Sequence, residues 1–231
     1  MHANKRISTV FLDLDGTLAD TAPDLARALN TLRLEQGLEP LPYEQVRAGV
    51  SRGSSALVHL AFGETLEEAR FAALRQRFLD LYQSDLCVDT RLFPGTAETL
   101  AYMESTGLGW GIVTNKPARL TDPLVATLGL DGRAACVVSG DTTVDRKPHP
   151  APLLHASELA GVLPQHCIYV GDDPRDIQAG NAAGMTTLVA RYGYIHESLD
   201  PADWGADGII DEFREIRAWL PAPDRARSSG G

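Results

Sequence analysis

The feature that most constrains the fold is an alternation along the chain. Short apolar runs rich in Val and Ile occur at residues 7–12, 110–113, 135–138, 167–170, 187–190 and 208–210, each bounded by Gly, Asp or Pro. Between most of them lies a stretch with helical spacing, at 96–105, 117–128, 150–160 and 174–183. Leu120, Leu124 and Leu128 stand four apart in the second of these, where Pro123 predicts a kink or the helix's true start. Near-continuous apolar strands separated by helices are the pattern of a parallel sheet covered on both faces.

One region breaks the alternation. From about residue 21 to residue 86 no strand pattern appears. Leu25, Leu29 and Leu32 follow helical spacing, as do Ala56, Leu57, Leu60 and Ala61, and then Leu74, Phe78 and Leu81 with Phe71 alongside. Glycines and prolines separate these groups, which predicts a bundle of roughly four helices. The excursion begins just after the first strand ends. In an open α/β sheet that position lies over the ligand crevice, where a lid belongs.

Three strand ends carry polar residues: Asp13-Leu14-Asp15, Thr114-Asn115 and Gly171-Asp172-Asp173. Parallel strands present their C-terminal ends on one rim, so these residues converge there, joined by Lys147 from the loop "DRKPHP" and by Asp176, one helical turn beyond Asp172. Five acids with one lysine in a small volume must be protonated or neutralised by a cation. Hard carboxylate oxygens suit Mg²⁺, which keeps coordination positions for a phosphate, and an ammonium beside a hydroxyl suits phosphoryl oxygens.

The tracts "DLDGT" (13–17), "VTN" (113–115), "KP" (147–148) and "GDDPRD" (171–176) occur in an order and setting that resembles the phosphatase branch of the haloacid dehalogenase superfamily. The resemblance implies an α/β, Rossmann-like parallel-sheet core, residues 1–18 and 89–231, with a helical cap inserted at 19–88. It implies a Mg²⁺-dependent phosphomonoester hydrolase working through an aspartyl-phosphate. Asp13 is then the nucleophile and Asp15 the general acid and base. Thr114, Asn115 and Lys147 hold the phosphoryl oxygens. Asp13, Asp172 and the Asp15 main-chain carbonyl bind the metal, with Asp176 and Asp173 behind them; Asp173 departs from the small Ser or Thr the family favours at its position. Carbon–halogen dehalogenases of the superfamily lack the second aspartate, so Asp15 points to phosphoryl transfer. Arg52, in "SRGSS" (51–55), occupies the place of a substrate loop and is a candidate for a substrate carboxylate, set against an ordinary solvated arginine. The further tracts "VTNKP", "VGDDPRDIQAG", "YGYIH" and "WGAD" are similar to the N-acetylmuramic acid 6-phosphate phosphatase group, with the phosphoglycolate phosphatases as the neighbouring group. Tyr192, Tyr194 and Trp204 are expected to pack under the last strand. A sugar phosphomutase and a non-enzymatic phospho-accepting module stay open as alternatives. Isomerised product would mark the first, and a single phosphorylation without turnover the second.

Composition narrows the partners. The chain has 231 residues, 44% hydrophobic, with a net charge of −10. That is ample for one core and a small second one. The charge argues against nucleic acid or an anionic membrane as partner, but not against a small phosphorylated substrate, because the local field decides that. The three cysteines, Cys87, Cys136 and Cys167, form no CxxC pair; Cys136 and Cys167 each open an apolar run and read as buried free thiols. The run after "MHANKR" is too short for a signal peptide, so a cytoplasmic monomer or homodimer is expected. The segment after Leu220 is small and polar and is expected to lack regular structure.

Overall fold

The structure, a computed structural model, describes residues 7–222. All but the first two residues of the polar C-terminal segment fall outside them. Strand β1 (Thr9–Leu12) is TVFL, every residue buried. A tight loop leads to the two-residue strand β2 (Ala19–Asp20) and then to four helices, α1 (Ala22–Glu35), α2 (Tyr43–Arg47), α3 (Ser54–Phe62) and α4 (Glu68–Ser84), with a 3-10 turn at Val50–Arg52. The chain returns through β3 (Arg91–Leu92), antiparallel to β2. Then come α5 (Thr96–Ser105), β4 (Gly109–Val113), α6 (Ala118–Thr127), β5 (Val137–Val138), α7 (Ala151–Leu159), β6 (Cys167–Gly171), α8 (Pro174–Ala183), β7 (Thr186–Ala190) and β8 (Gly208–Ile210).

Six strands form one sheet in the order β5-β4-β1-β6-β7-β8, and every pairing is parallel. From β1 the chain builds outward through β4 and β5, then crosses back to β6 on the other side and builds outward again. The strand order therefore reverses around β1, and the crevice at such a reversal opens at the C-terminal strand ends. Period-two alternation divides the core. Val10, Leu12, Trp110, Ile112, Ile168 and Val170 pack on one face with Leu100 and Met103 of α5 and Leu124 of α6. Phe11, Val113, Cys167 and Tyr169 pack on the other with Leu153 of α7 and Ala179 of α8.

One expectation is corrected here and another is narrowed. The run 135–138 pairs as a strand only at Val137–Val138, on the sheet edge, although Ala135 N still donates to Trp110 O (2.7 Å). Pro123 lies five residues inside α6, so it does not mark the start; the helix begins at Ala118, after Pro117.

The helical excursion builds a further apolar cluster, in which Leu25, Leu29 and Leu32 of α1 meet Leu74, Phe78 and Tyr82 of α4. Burying rings such as Phe78 and Tyr82 is worth about 2–3 kcal/mol each. Leu60 is instead exposed, and Leu79 and Tyr82, not Leu81, complete the buried stripe of α4. The entry to the excursion is pinned by Asp24 of α1, fully buried, whose carboxylate accepts from Asp89 N, Thr90 N and Thr90 Oγ1 (2.7–3.2 Å).

Candidate active site

Asp13 is the residue after β1 and continues its ladder, with its N–H donating to Val170 O (2.9 Å). Its Oδ1 accepts from Leu14 N (2.8 Å) and lies 3.0 Å from Lys147 Nζ. Lys147, from the loop between β5 and α7, is almost wholly buried; its ammonium also meets Asp176 Oδ1 (2.6 Å), Tyr169 Oη (2.8 Å) and Val113 O (3.1 Å). Burial opposes the lysine's charge, but Asp13 and Asp176 outweigh it and hold the ammonium protonated, with its pKa raised.

Asp172 follows β6. Its Oδ1 accepts from Thr17 Oγ1 (3.1 Å), and its Oδ2 from Tyr194 N (2.8 Å) and from Ser51 Oγ of the helical excursion (2.5 Å). Gly16 is obligatory beneath it. Its φ is +83°, and a Cβ there would lie 2.2 Å from Asp172 Oδ2. Oxygens of Asp13, Asp172 and Asp176 lie within 4.8 Å of one another, all three buried. Burial, opposed in part by Lys147 and reinforced by Asp176 and Asp15, pushes the Asp13 carboxyl up to about 6. Burial with the neighbouring Asp13 and Asp176 charges pushes Asp172 up to about 8. Three acids against one ammonium is an imbalance that a hard divalent cation corrects, and a set of carboxylate oxygens is the donor chemistry such an ion takes. The residues therefore fit a metal.

The Asp15 carboxylate lies outside this group. Thr21 Oγ1 donates to its Oδ1 (2.6 Å), and Lys116 Nζ lies 2.9 and 3.2 Å from its two oxygens. Lys116 is buried and also donates to Tyr82 Oη (3.0 Å), on α4. Sequence reasoning misses it, because nothing local in "VTNKP" distinguishes this lysine from a surface one. Thr114 is buried at the end of β4, where its Oγ1 accepts from Lys116 N (3.2 Å). Asn115 supports the lysine loop through its side chain. Its side-chain amide is committed to the Lys147 backbone, Nδ2 donating to Lys147 O (3.0 Å) and Oδ1 accepting from Lys147 N (3.1 Å), so it positions the lysine loop.

Asp173 has a local task. It is the N-cap of α8, accepting from Arg175 N (2.9 Å), and Asp176 reaches back to Asp173 N (3.1 Å) to complete a capping box. Its carboxylate also pairs with Arg175, which donates onward to Ser51 O. Tyr192 packs against the core cluster that includes Ile210 of the last strand, whereas Tyr194 belongs to the apolar cluster of the helices. Tyr192 Oη donates to Thr17 O (2.9 Å), while Tyr194 Oη bonds Asp20 Oδ1 (2.6 Å) and accepts from Ala22 N (3.0 Å), bracing the way into the helices. Cys87, Cys136 and Cys167 are free; Cys167 is buried and the other two half-buried.

Between the strand ends and the helices lies a cavity of ≈ 430 Å³, in the size range of small-molecule sites. Asp13, Asp15, Thr114, Asn115, Lys116 and Lys147 line its floor, and Arg52, Arg75 and Tyr82 its roof. Arg146 and Arg175 also reach it, so six cationic side chains face two acids. The local field favours an anion although the chain as a whole is acidic.

Residues 10–190 match the haloacid dehalogenase-like hydrolase family, and the chain belongs to it. It is 44% identical over 211 residues to an N-acetylmuramic acid 6-phosphate phosphatase of Pseudomonas aeruginosa, covering 91% of this chain and 93% of that protein. It is 42% identical over 213 residues to a phosphoglycolate phosphatase of Xanthomonas campestris pv. campestris, covering 92% and 95%. Among solved structures, a predicted phosphoglycolate phosphatase from Haemophilus somnus superposes with a TM-score of 0.84 at 28% identity, covering 94% of this chain and 99% of that one. Among the described residues no helix is long and apolar enough to cross a membrane.

Proposed function

We propose that this chain is a Mg²⁺-dependent phosphomonoesterase acting through an aspartyl-phosphate on Asp13, with N-acetylmuramic acid 6-phosphate as substrate. The observation that carries the reading is the placement of Asp13, between Lys147 and the Asp172–Asp176 acids, on the floor of a cation-lined cavity. Asp13, Asp172 and the Asp15 carbonyl would hold the ion, with Asp176 behind them. When bound, Mg²⁺ supplies neutralisation of the clustered acids and of the phosphoryl oxygens.

The remaining work falls to the chain itself. Leu14 N and Lys147 anchor Asp13 Oδ1, so Oδ2 is the oxygen assigned to attack phosphorus. Lys147 and Thr114 stabilise the charge that spreads over the transferring oxygens. Asp15, held by Lys116 and Thr21, delivers a proton to the sugar oxygen as its bond to phosphorus breaks, and then takes one from the water that cleaves the aspartyl-phosphate. The helical excursion acts as a cap that excludes bulk water, with Ser51 and Arg175 joining it to the floor.

The second reading, 2-phosphoglycolate as substrate, is favoured by the names of several relatives. A two-carbon phosphoester would leave most of the ≈ 430 Å³ cavity to water, which supports the larger sugar phosphate. The test is phosphate release with and without Mg²⁺, using kcat/KM for N-acetylmuramic acid 6-phosphate, 2-phosphoglycolate and simple hexose phosphates in parallel. Wild-type turnover in Asp13→Asn refutes the nucleophile, and a clear preference for 2-phosphoglycolate refutes the substrate.

A further inference from the structure

We propose that Arg75 reads a carboxylate at the far end of the substrate, and that helix α4 sets how far that carboxylate stands from the phosphoryl group. The proposal rests on the sugar-phosphate reading above. Helix α4 presents Arg75, Leu79 and Tyr82 to the cavity, at i, i+4 and i+7 of one face. Tyr82 marks the reacting end, because its hydroxyl meets Lys116 beside Asp15. Arg75 stands seven residues earlier, about 10 Å along the helix axis at 1.5 Å per residue. Helical side chains lean toward the N-terminus, which carries the guanidinium further from the reacting end.

Among the cavity's arginines Arg52 and Arg146 are exposed and Arg175 is paired with Asp173, which leaves Arg75 as a held guanidinium open to a ligand acid. It is half-buried, and its Nε donates to Ser54 Oγ (3.0 Å) at the start of α3, which fixes the plane of the guanidinium. Among the described residues no carboxylate lies within ion-pair distance of it, whereas Arg27, Arg77, Arg133, Arg175 and Arg191 each have one. A planar guanidinium with both terminal nitrogens uncommitted is matched to a bidentate carboxylate. Arg52, the sequence candidate, lines the same cavity but is exposed on its 3-10 turn. Between Arg75 and the floor the wall is apolar, formed by Leu57, Leu79 and Leu120, and suits the uncharged body of a sugar. With bonds of about 1.5 Å, a two-carbon phosphoester holds its carboxylate only about 4 Å from phosphorus and does not span this gap. A hexose 6-phosphate with an acidic ether across the ring does.

The experiment compares kcat/KM for N-acetylmuramic acid 6-phosphate with that for N-acetylglucosamine 6-phosphate, the same sugar phosphate without the lactyl acid. The proteins are wild type, Arg75→Met, Arg75→Lys and Arg52→Met, with 2-phosphoglycolate as a third substrate. The wild-type ratio of the first two should fall about ten- to a hundredfold in Arg75→Met, carried mainly by KM, as loss of a charge-assisted pair predicts, and Arg75→Lys should recover part of it. Should Arg75→Met not purify folded, Ser54→Ala, which frees the guanidinium, should lower the same ratio several-fold. A wild type that selects the lactyl sugar while Arg75→Met keeps the ratio overturns the assignment and leaves the substrate reading standing. Collapse of the ratio in Arg52→Met alone overturns it too. A wild type that favours 2-phosphoglycolate overturns the substrate reading, and the ruler with it.

Discussion

Replacing Lys116 with Met removes the cation that joins Asp15 to Tyr82 in the roof of the site. The lysine's side chain is 5% exposed and reaches Asp15 at 2.9 Å and Tyr82 Oη at 3.0 Å. Met keeps most of the apolar stem and loses the charge. Breaking a buried ion pair from one side costs about 3–5 kcal/mol, because the partner stays behind uncompensated. Asp15 is 18% exposed and keeps Thr21 as a donor, so the lower end, about 3 kcal/mol, is the expected loss. For a chain of this size that is roughly 6–12 °C in Tm. The rate should fall as well. Positioned acid–base catalysis contributes about 10²–10⁴-fold, and an Asp15 held only by Thr21 should lose at least tenfold in kcat/KM on a sugar phosphate. The loss in kcat/KM, which reports the steps up to release of the alcohol and not the shared hydrolysis of the aspartyl-phosphate, should be much smaller on p-nitrophenyl phosphate, whose phenolate leaves without a proton. Melting curves and the two kcat/KM values are the assay. A variant that melts within 2 °C of wild type, or that loses both substrates equally, refutes the claim that Lys116 positions the proton carrier.

Three further outcomes follow from the same geometry. Because burial raises Asp13 to about 6 and Asp172 to about 8, the folded metal-free chain holds protons that the unfolded chain releases above about pH 4; its stability from these groups therefore falls as pH rises toward 8, and Mg²⁺ should raise Tm more at pH 8 than at pH 5.5, an equal rise at both counting against the metal site. Gly16→Ala should cost more than about 1 kcal/mol at its positive φ and weaken Mg²⁺ binding by calorimetry, since the new methyl displaces Asp172. Asp173→Ala should lose about 1–2 kcal/mol in urea unfolding, while Asp173→Asn, an equally good cap, keeps most of it.

Much of this was legible in the sequence because it is local or periodic. Strand ends, the lysine loop and the first turn of α8 put Asp13, Lys147, Asp172 and Asp176 on one rim by backbone period alone. Asp15 joined them in sequence but not in space, because its partners, Thr21 and Lys116, come from segments with no repeat to betray them. Tyr82 and Arg75 were hidden for a related reason: periodicity reports that α4 has an inner face, not which part of it meets the sheet end and which meets the cavity. Asp173 was obscure because one carboxylate next to two others invites a metal role, whereas its hydrogen bonds are those of a helix cap.

The pairing of β2 with β3 has a consequence for how such chains diversify. β2 and β3 form a two-stranded ribbon apart from the six-stranded sheet, and because Asp20 and Arg91 are register partners in it, the segment between them departs and returns through one narrow doorway. A segment tethered that way is exchangeable: its length and helix count can change without moving a single strand of the reaction floor. Selection on substrate choice and selection on chemistry can then act on separate stretches of sequence, meeting only where residues such as Ser51 and Tyr82 touch down.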